Sequence, residues 1–178
     1  MHDFLQRDID YVIRVDELLW GGLLLAVTMA IHGAGMLQTM RVSAFLLERT
    51  RQNRTRFKSM AILIIAAWML ILVSLIEVAL WAQSFVWLGA QPNNSSAFYY
   101  AILNYTTLNA GYLPVRWRLL EGMLGMAGLL SFAWSTGILF SLAQPLTEEA
   151  LQAVRRKHAR QPPHASGEPP PGGGSPKP

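Results

Sequence analysis

The chain has 178 residues, 52% of them apolar and 15% charged, with no cysteine and a mean hydropathy of +0.26. A soluble domain usually carries about 25% charge, so the shortage of charge nearly excludes a soluble enzyme. The lack of cysteine excludes disulfide scaffolds, thiolate metal sites and cysteine nucleophiles.

Residues 1–17 hold seven charged side chains with a net charge of −3. That is the wrong flank for a signal peptide, which starts basic. Phe4, Leu5, Ile9, Val12 and Ile13 fall on one helical face, the pattern of a helix lying in the membrane interface. Residues 18–40 carry no charge. At about 1.5 Å per residue they span roughly 34 Å, enough to cross about 30 Å of hydrocarbon. His32 lies inside this run with no second ligand at metal-binding spacing. It reads as a hydrogen-bonded packing residue, and Gly33 and Gly35 read as packing positions.

Residues 41–58 form a loop of net charge +5. Short loops rich in Lys and Arg stay in the cytoplasm, so the first 17 residues are expected outside. The loop fits a solvated surface near anionic lipid headgroups rather than a nucleic-acid site. Residues 59–91 contain one charge, Glu77, and form the second predicted span. Its outer end, Trp81 to Trp87, reads as an aromatic belt. Glu77 falls in the outer half of the membrane, where carboxylates are uncommon and often functional.

Residues 92–118 differ from the rest. Pro92, Asn93, Asn94, Ser95 and Ser96 make a turn cluster in which either serine can cap a helix. Ala97–Tyr105 is apolar and aromatic but too short to cross, and Thr106 to Pro114 reads TTLNAGYLP. A short apolar helix followed by a Thr and Gly loop between two spans is the pattern of a re-entrant pore loop. Irregular backbone at membrane depth must be buried in protein or line water. One chain has too few spans to enclose a water-filled cavity, so oligomerisation around an axis is expected.

Residues 119–144 are the third predicted span, in which Gly125 and Gly128 serve as a hinge or as packing positions. The tail, 145–178, begins with a short amphipathic helix over Thr147–Arg160 and is expected to be disordered from about residue 161, where proline and glycine dominate. Its Arg155, Arg156, Lys157 and Arg160 again point to the cytoplasm. The expected fold is therefore an all-α membrane protein with three transmembrane helices and a re-entrant helix and loop between the second and third. No phosphate loop and no nucleophile with a base stands out, so enzyme chemistry is not expected.

Glu77, Trp81 and Ala82, then Trp117 to Leu120, then Trp134 to Phe140 occur in an order and spacing that resembles the pore module of tetrameric potassium-type channels. More narrowly, they look like small bacterial three-span ion channel proteins. The resemblance covers about residues 73–144. It implies a homotetramer in the inner membrane, a monovalent cation such as K+ or Na+ as the permeant species, and no cofactor or metal site. It also implies that Glu77 anchors the pore helix by accepting hydrogen bonds from Tyr, Thr or Asn there. The filter of that family runs Thr-Thr, an aliphatic residue, then Gly-Tyr-Gly-Asp. Here Thr106, Thr107 and Leu108 match and Asn109, Ala110, Gly111 and Tyr112 follow. Either Asn109 and Ala110 replace the first Gly and Tyr, or Gly111 and Tyr112 are that pair displaced by two residues.

Filter glycines turn backbone carbonyls toward the ion. Asparagine tolerates left-handed angles, whereas alanine in that region costs roughly 1–2 kcal/mol. The departure implies altered or reduced potassium selectivity, or a non-conducting membrane protein that acts as an assembly or regulatory partner. The orientation is directly testable because the chain has no cysteine. In intact cells, Ser95→Cys is expected to react with an impermeant maleimide while Gln52→Cys reacts only after lysis.

Overall fold

The computed structural model describes residues 12–50, 56–108 and 113–159, and these are helical or turn with no strand among them. Asn109, Ala110, Gly111 and Tyr112 lie outside the described residues, as do Phe4, Leu5 and Ile9 of the expected interfacial helix and the tail from residue 160. The helices are α1 (Val15–Thr50), α2 (Arg56–Trp87), α3 (Asn94–Tyr105) and α4 (Leu119–Ala159), with a 3-10 turn at Val115–Trp117. Among the described residues three stretches are long and apolar enough to cross a membrane: Val15–Thr50, Phe57–Trp87 and Val115–Pro145. The chain divides into two units, 1–143 and 144–178. The described part of the second is the stretch of α4 that carries Glu148, Leu151, Gln152 and Arg155 on one surface.

The uncharged runs mark the apolar stretches but not the helix ends. α1 has 36 residues, roughly 54 Å at the α-helical rise, and it carries Arg41, Glu48 and Arg49 well beyond the uncharged run. Charged straight-chain residues are good helix formers, so hydropathy loses the segment before the backbone does. For the same reason α4 runs on past residue 144, through Pro145.

Burial runs opposite to that of a soluble bundle. The buried residues of α1 are Glu17, Gly21, Leu24, Thr28, His32, Thr39 and Ser43, spaced three, four or seven apart. Its Leu18, Leu19, Leu23, Leu37 and Phe45 are exposed, as are Ile64, Trp68, Leu72 and Ile76 on α2. A large exposed apolar surface is a liability in water, whereas in lipid it is the solvated face and polar groups turn inward. The buried threonines satisfy themselves locally. Thr28 Oγ1 donates to the Leu24 carbonyl at 2.7 Å and Thr39 Oγ1 to that of Gly35 at 2.9 Å.

The apolar core lies where the last turns of α2, the whole of α3 and the first turns of α4 meet. Trp81, Phe85, Ala97, Tyr100, Leu120, Leu124 and Ala127 are buried in it. Phe85 packs on Trp81 and edge-on against Tyr100, with ring centroids 6.0 and 5.7 Å away. This corrects the aromatic-belt reading: Trp81 and Phe85 are wholly buried, and only Trp87 of that trio is exposed. The Trp81 indole is fixed from α1, since its Nε1 donates to Thr28 Oγ1 at 2.8 Å.

Local chemistry sets the ends of α2 and α3. α2 ends at Gly89 (φ +65°), where Gly89 N–H donates to the Val86 carbonyl and Ala90 N–H to that of Phe85. That is the Schellman closure, and glycine supplies the left-handed angle without a Cβ clash. α3 starts on Asn93, whose side chain accepts from Ser96 N–H at 2.9 Å. The cap is thus the asparagine and not one of the serines; its extended backbone aims the amide oxygen at the first turn.

Close helix approach is bought by Gly128. A Cβ there would lie 1.9 Å from the Tyr105 carbonyl oxygen, a backbone atom, so α4 meets the last turn of α3 with no room for a side chain. Gly35 packs against Val73, but Gly33 has nothing within 4 Å, so the packing expectation holds for one of that pair. Gly128→Ala is expected to destabilise the protein by about 1–3 kcal/mol through overpacking. Gly137→Ala, with open space around it, is expected to be neutral or to stabilise by up to about 1 kcal/mol through helix propensity. Unfolding of the detergent-solubilised protein by denaturant checks both.

Candidate functional site around Glu77

Glu77 is wholly buried on α2 and receives hydrogen bonds from three other helices. His32 Nδ1, on α1, lies 2.8 Å from Oε1. Tyr105 Oη, the last residue of α3, donates to Oε2 at 2.5 Å, and Ser131 Oγ of α4 donates to the same oxygen at 3.0 Å. The second imidazole nitrogen continues the chain, with His32 Nε2 3.3 Å from Ser135 Oγ. The Trp134 ring flanks the imidazole at 6.2 Å between centroids.

Read from the sequence, Glu77 and His32 have separate roles. The fold joins residues 45 positions apart, and neither spacing nor hydropathy carries a signal for that pairing. The one available signal was the polar stripe on α1, where Glu17, Thr28, His32, Thr39 and Ser43 repeat at helical intervals and mark an inward face. Ser131 and Ser135 stand one turn apart on α4 for the same reason.

A second buried carboxylate holds the far side of the loop. Glu121 Oε1 accepts from Leu113 N–H at 2.9 Å. The segment 106–112 is therefore tied upstream by Tyr105 to Glu77 and downstream by Leu113 to Glu121. Tyr100 is also buried in this region, and its hydroxyl has no hydrogen-bond partner among the described residues. Burial, with the Glu121 carboxylate acting on it, pushes the Tyr100 phenol above its ordinary range. Burial, reinforced by Glu77, pushes Tyr105 up to about 12. Tyr105 therefore stays a donor across the physiological pH range. At the start of α4, Glu17 Oε1 accepts from Leu119 N–H, which matches a carboxylate to the positive end of the helix.

Thr106, Thr107 and Leu108 are exposed at the end of α3. Thr107 N–H donates to the Asn104 carbonyl at 2.9 Å and Leu108 N–H to that of Leu103 at 2.8 Å. This is the same closure as at Gly89, but Thr107 stands in the left-handed position with φ 63°. A β-branched residue there is strained by roughly 1–2 kcal/mol. Among the described residues of the loop, the left-handed backbone thus falls on Thr107, whereas the sequence raised the cost at Ala110.

Gly125 and Gly128 both face this end of α3, at Asn104 and Tyr105 respectively. A groove of about 440 Å³ runs beside it, lined mainly by apolar side chains and by Ser74, Tyr105, Thr106, Ser135 and Thr136. Among the described residues no three His, Asp or Glu side chains converge as a metal site requires. Comparison with family models, with curated proteins and with solved structures returned no match.

Tyr105 and Ser131 share one carboxylate oxygen, so their contributions are coupled. Tyr105→Phe is expected to cost about 1–2 kcal/mol and Ser131→Ala about 0.5–1 kcal/mol. The double variant should depart from additivity by at least about 0.5 kcal/mol, measured by denaturant unfolding in detergent.

Proposed function

We propose that the chain is the pore subunit of an ion channel, a homotetramer of potassium-channel-like architecture that passes a monovalent cation, K+ or Na+, with altered or reduced potassium selectivity. In this reading α3 is the re-entrant pore helix, residues 106–112 are the ion pathway and α4 is the inner helix. The protein sits in the inner membrane with its N-terminus outside.

The observation that carries the reading is the anchoring of α3. A helix of 12 residues is roughly 18 Å long, too short to span. Its last residue is nevertheless fixed to a buried carboxylate on α2 and packed directly against a glycine on α4. A surface loop needs no such fixing. A pore loop does, because its carbonyls must stand in place of an ion's hydration shell. The C-terminus of α3 then aims its negative dipole end where the loop begins, which favours a cation. The exposed apolar faces of α2 and α4 leave room for lipid and for neighbouring copies.

Ser135, His32 and Glu77 have the connectivity of an acyl-transfer triad, but we do not read them as catalytic. Ser135 lies inside α4, where backbone N–H groups are spent on helix bonds and none is left to hold an oxyanion. His32 is wholly buried and has no path to a leaving group.

Reconstitution of the purified protein in planar bilayers, with K+ and Na+ on opposite sides, tests the proposal. Cation-selective current with a potassium-to-sodium permeability ratio below that of a strict potassium filter is expected. Anion preference, or no current above that of empty bilayers, would overturn it. Silence combined with co-purification of a second channel chain would identify the assembly-partner role instead.

A further inference from the structure

The hydrogen bonds of Glu77 point to a role for α1 that goes beyond lining the outside of the module. We propose that His32 is a positioning residue for the ion-pathway loop, acting through Glu77 and Tyr105; this rests on the channel reading above.

The Glu77 carboxylate has partners at both of its oxygens. Oε2 carries both the Tyr105 and the Ser131 hydroxyls, whereas Oε1 has His32 as its partner. A planar group held at one oxygen alone can still swing about its Cγ–Cδ bond. A third donor at the other oxygen fixes the plane, and with it the place where Tyr105 Oη must sit. Tyr105 directly precedes Thr106, so its phenol sets where the loop starts.

The tautomer follows from the partners. With Nδ1–H donating to Glu77, Nε2 is left to accept from the Ser135 hydroxyl, which ties the same ring to α4. The polar groups facing the imidazole are Glu77 from α2 and Ser135 from α4, with Tyr105 of α3 one step beyond. No Lys or Arg side chain hydrogen-bonds Glu77 or His32 among the described residues. Both His32 and Glu77 are completely buried, so water does not substitute for a lost partner.

Two variants separate positioning from bulk packing. The amide of His32→Asn falls near the place of Nδ1 and keeps the donor to Glu77. The amide of His32→Gln falls near Nε2 and keeps only the Ser135 side, while His32→Leu keeps neither. In the bilayer assay, His32→Asn is expected to stay within about twofold of the wild-type potassium-to-sodium permeability ratio. His32→Gln and His32→Leu are expected to shift it by about tenfold, the order of effect of one hydrogen bond to a charged group. Equal ratios for the Asn and Gln variants, or an unchanged ratio in His32→Leu, would overturn the proposal.

A second readout does not need conduction. In full-length protein labelled with 15N-histidine and held in lipid nanodiscs, the Nδ1–H signal of His32, assigned by its loss in His32→Leu, is expected to shift in both Glu77→Gln and Tyr105→Phe. A shift in Glu77→Gln alone would show that His32 does not reach Tyr105, and would overturn the proposal even in a conducting channel. A silent protein in which both variants shift the signal would remove the channel reading while leaving His32 as the residue that positions Tyr105.

Discussion

A carboxylate inside an apolar slab must be surrounded by donors, and in this chain that requirement falls on Glu77. A charged side chain at the middle of a bilayer costs about 3 kcal/mol on insertion scales. Hydrogen bonds between membrane helices return about 0.6 kcal/mol on average and about 1.7 kcal/mol at most, so one partner does not offset the cost, whereas three together return about 2–5 kcal/mol, comparable to it. The three donors sit on α1, α3 and α4. The expense of one buried charge therefore dictates that four helices meet at a point, which apolar contact alone cannot dictate where lipid solvates the helix faces equally well.

The same logic recurs at lower stakes along the bundle. Glu17 receives the first N–H of α4 and Glu121 receives the Leu113 N–H. Each carboxylate satisfies a backbone group that a helix end or a loop would otherwise leave without a partner. Two of the three bracket the loop between α3 and α4, one before residue 106 and one after residue 112. Between those fixed points the chain takes a left-handed turn at Thr107, where α2 spends a glycine on the same closure. Strain of this kind persists only where the surroundings over-determine the backbone, and here Tyr105 on Glu77 and Gly128 against the Tyr105 carbonyl are those surroundings.

Much of the architecture was legible because the bilayer imposes it. The uncharged run of residues 18–40 falls within a helix long and apolar enough to cross, the nearly uncharged run of 59–91 follows a second such helix as far as Trp87 and ends in turn residues, and the short apolar segment before Thr106 is a separate helix. The helix ends were less legible, because Arg41 and Glu48 favour helix whether or not hydrocarbon surrounds them. The aromatic residues near the end of α2 were misread for a related reason. Composition cannot tell an indole at a headgroup from one inside a core, and it is the approach of the neighbouring helices that buries Trp81 and Phe85. The pairing of His32 with Glu77 was invisible, since linear spacing carries no information about contacts between helices. The stripe from Glu17 to Ser43 marked only the inward face of α1, in its period rather than in its average hydropathy.

That stripe bears on what the first helix contributes. A helix that served only to hold the chain in the bilayer would need an apolar surface and nothing else, since lipid asks no more of it. α1 instead turns His32 and Thr28 toward its neighbours, and each donates to or accepts from a named side chain on α2: Glu77 and Trp81. Those two α2 residues lie four apart, on one face, and that face leads through Tyr105 to the loop and through Phe85 to Tyr100 and the core. Removing α1 would leave Glu77 short of a donor and the Trp81 indole N–H unpaired, both in surroundings without water. α1 is therefore part of the structure that fixes α3, and the module is built from all four helices rather than from α2 to α4 alone.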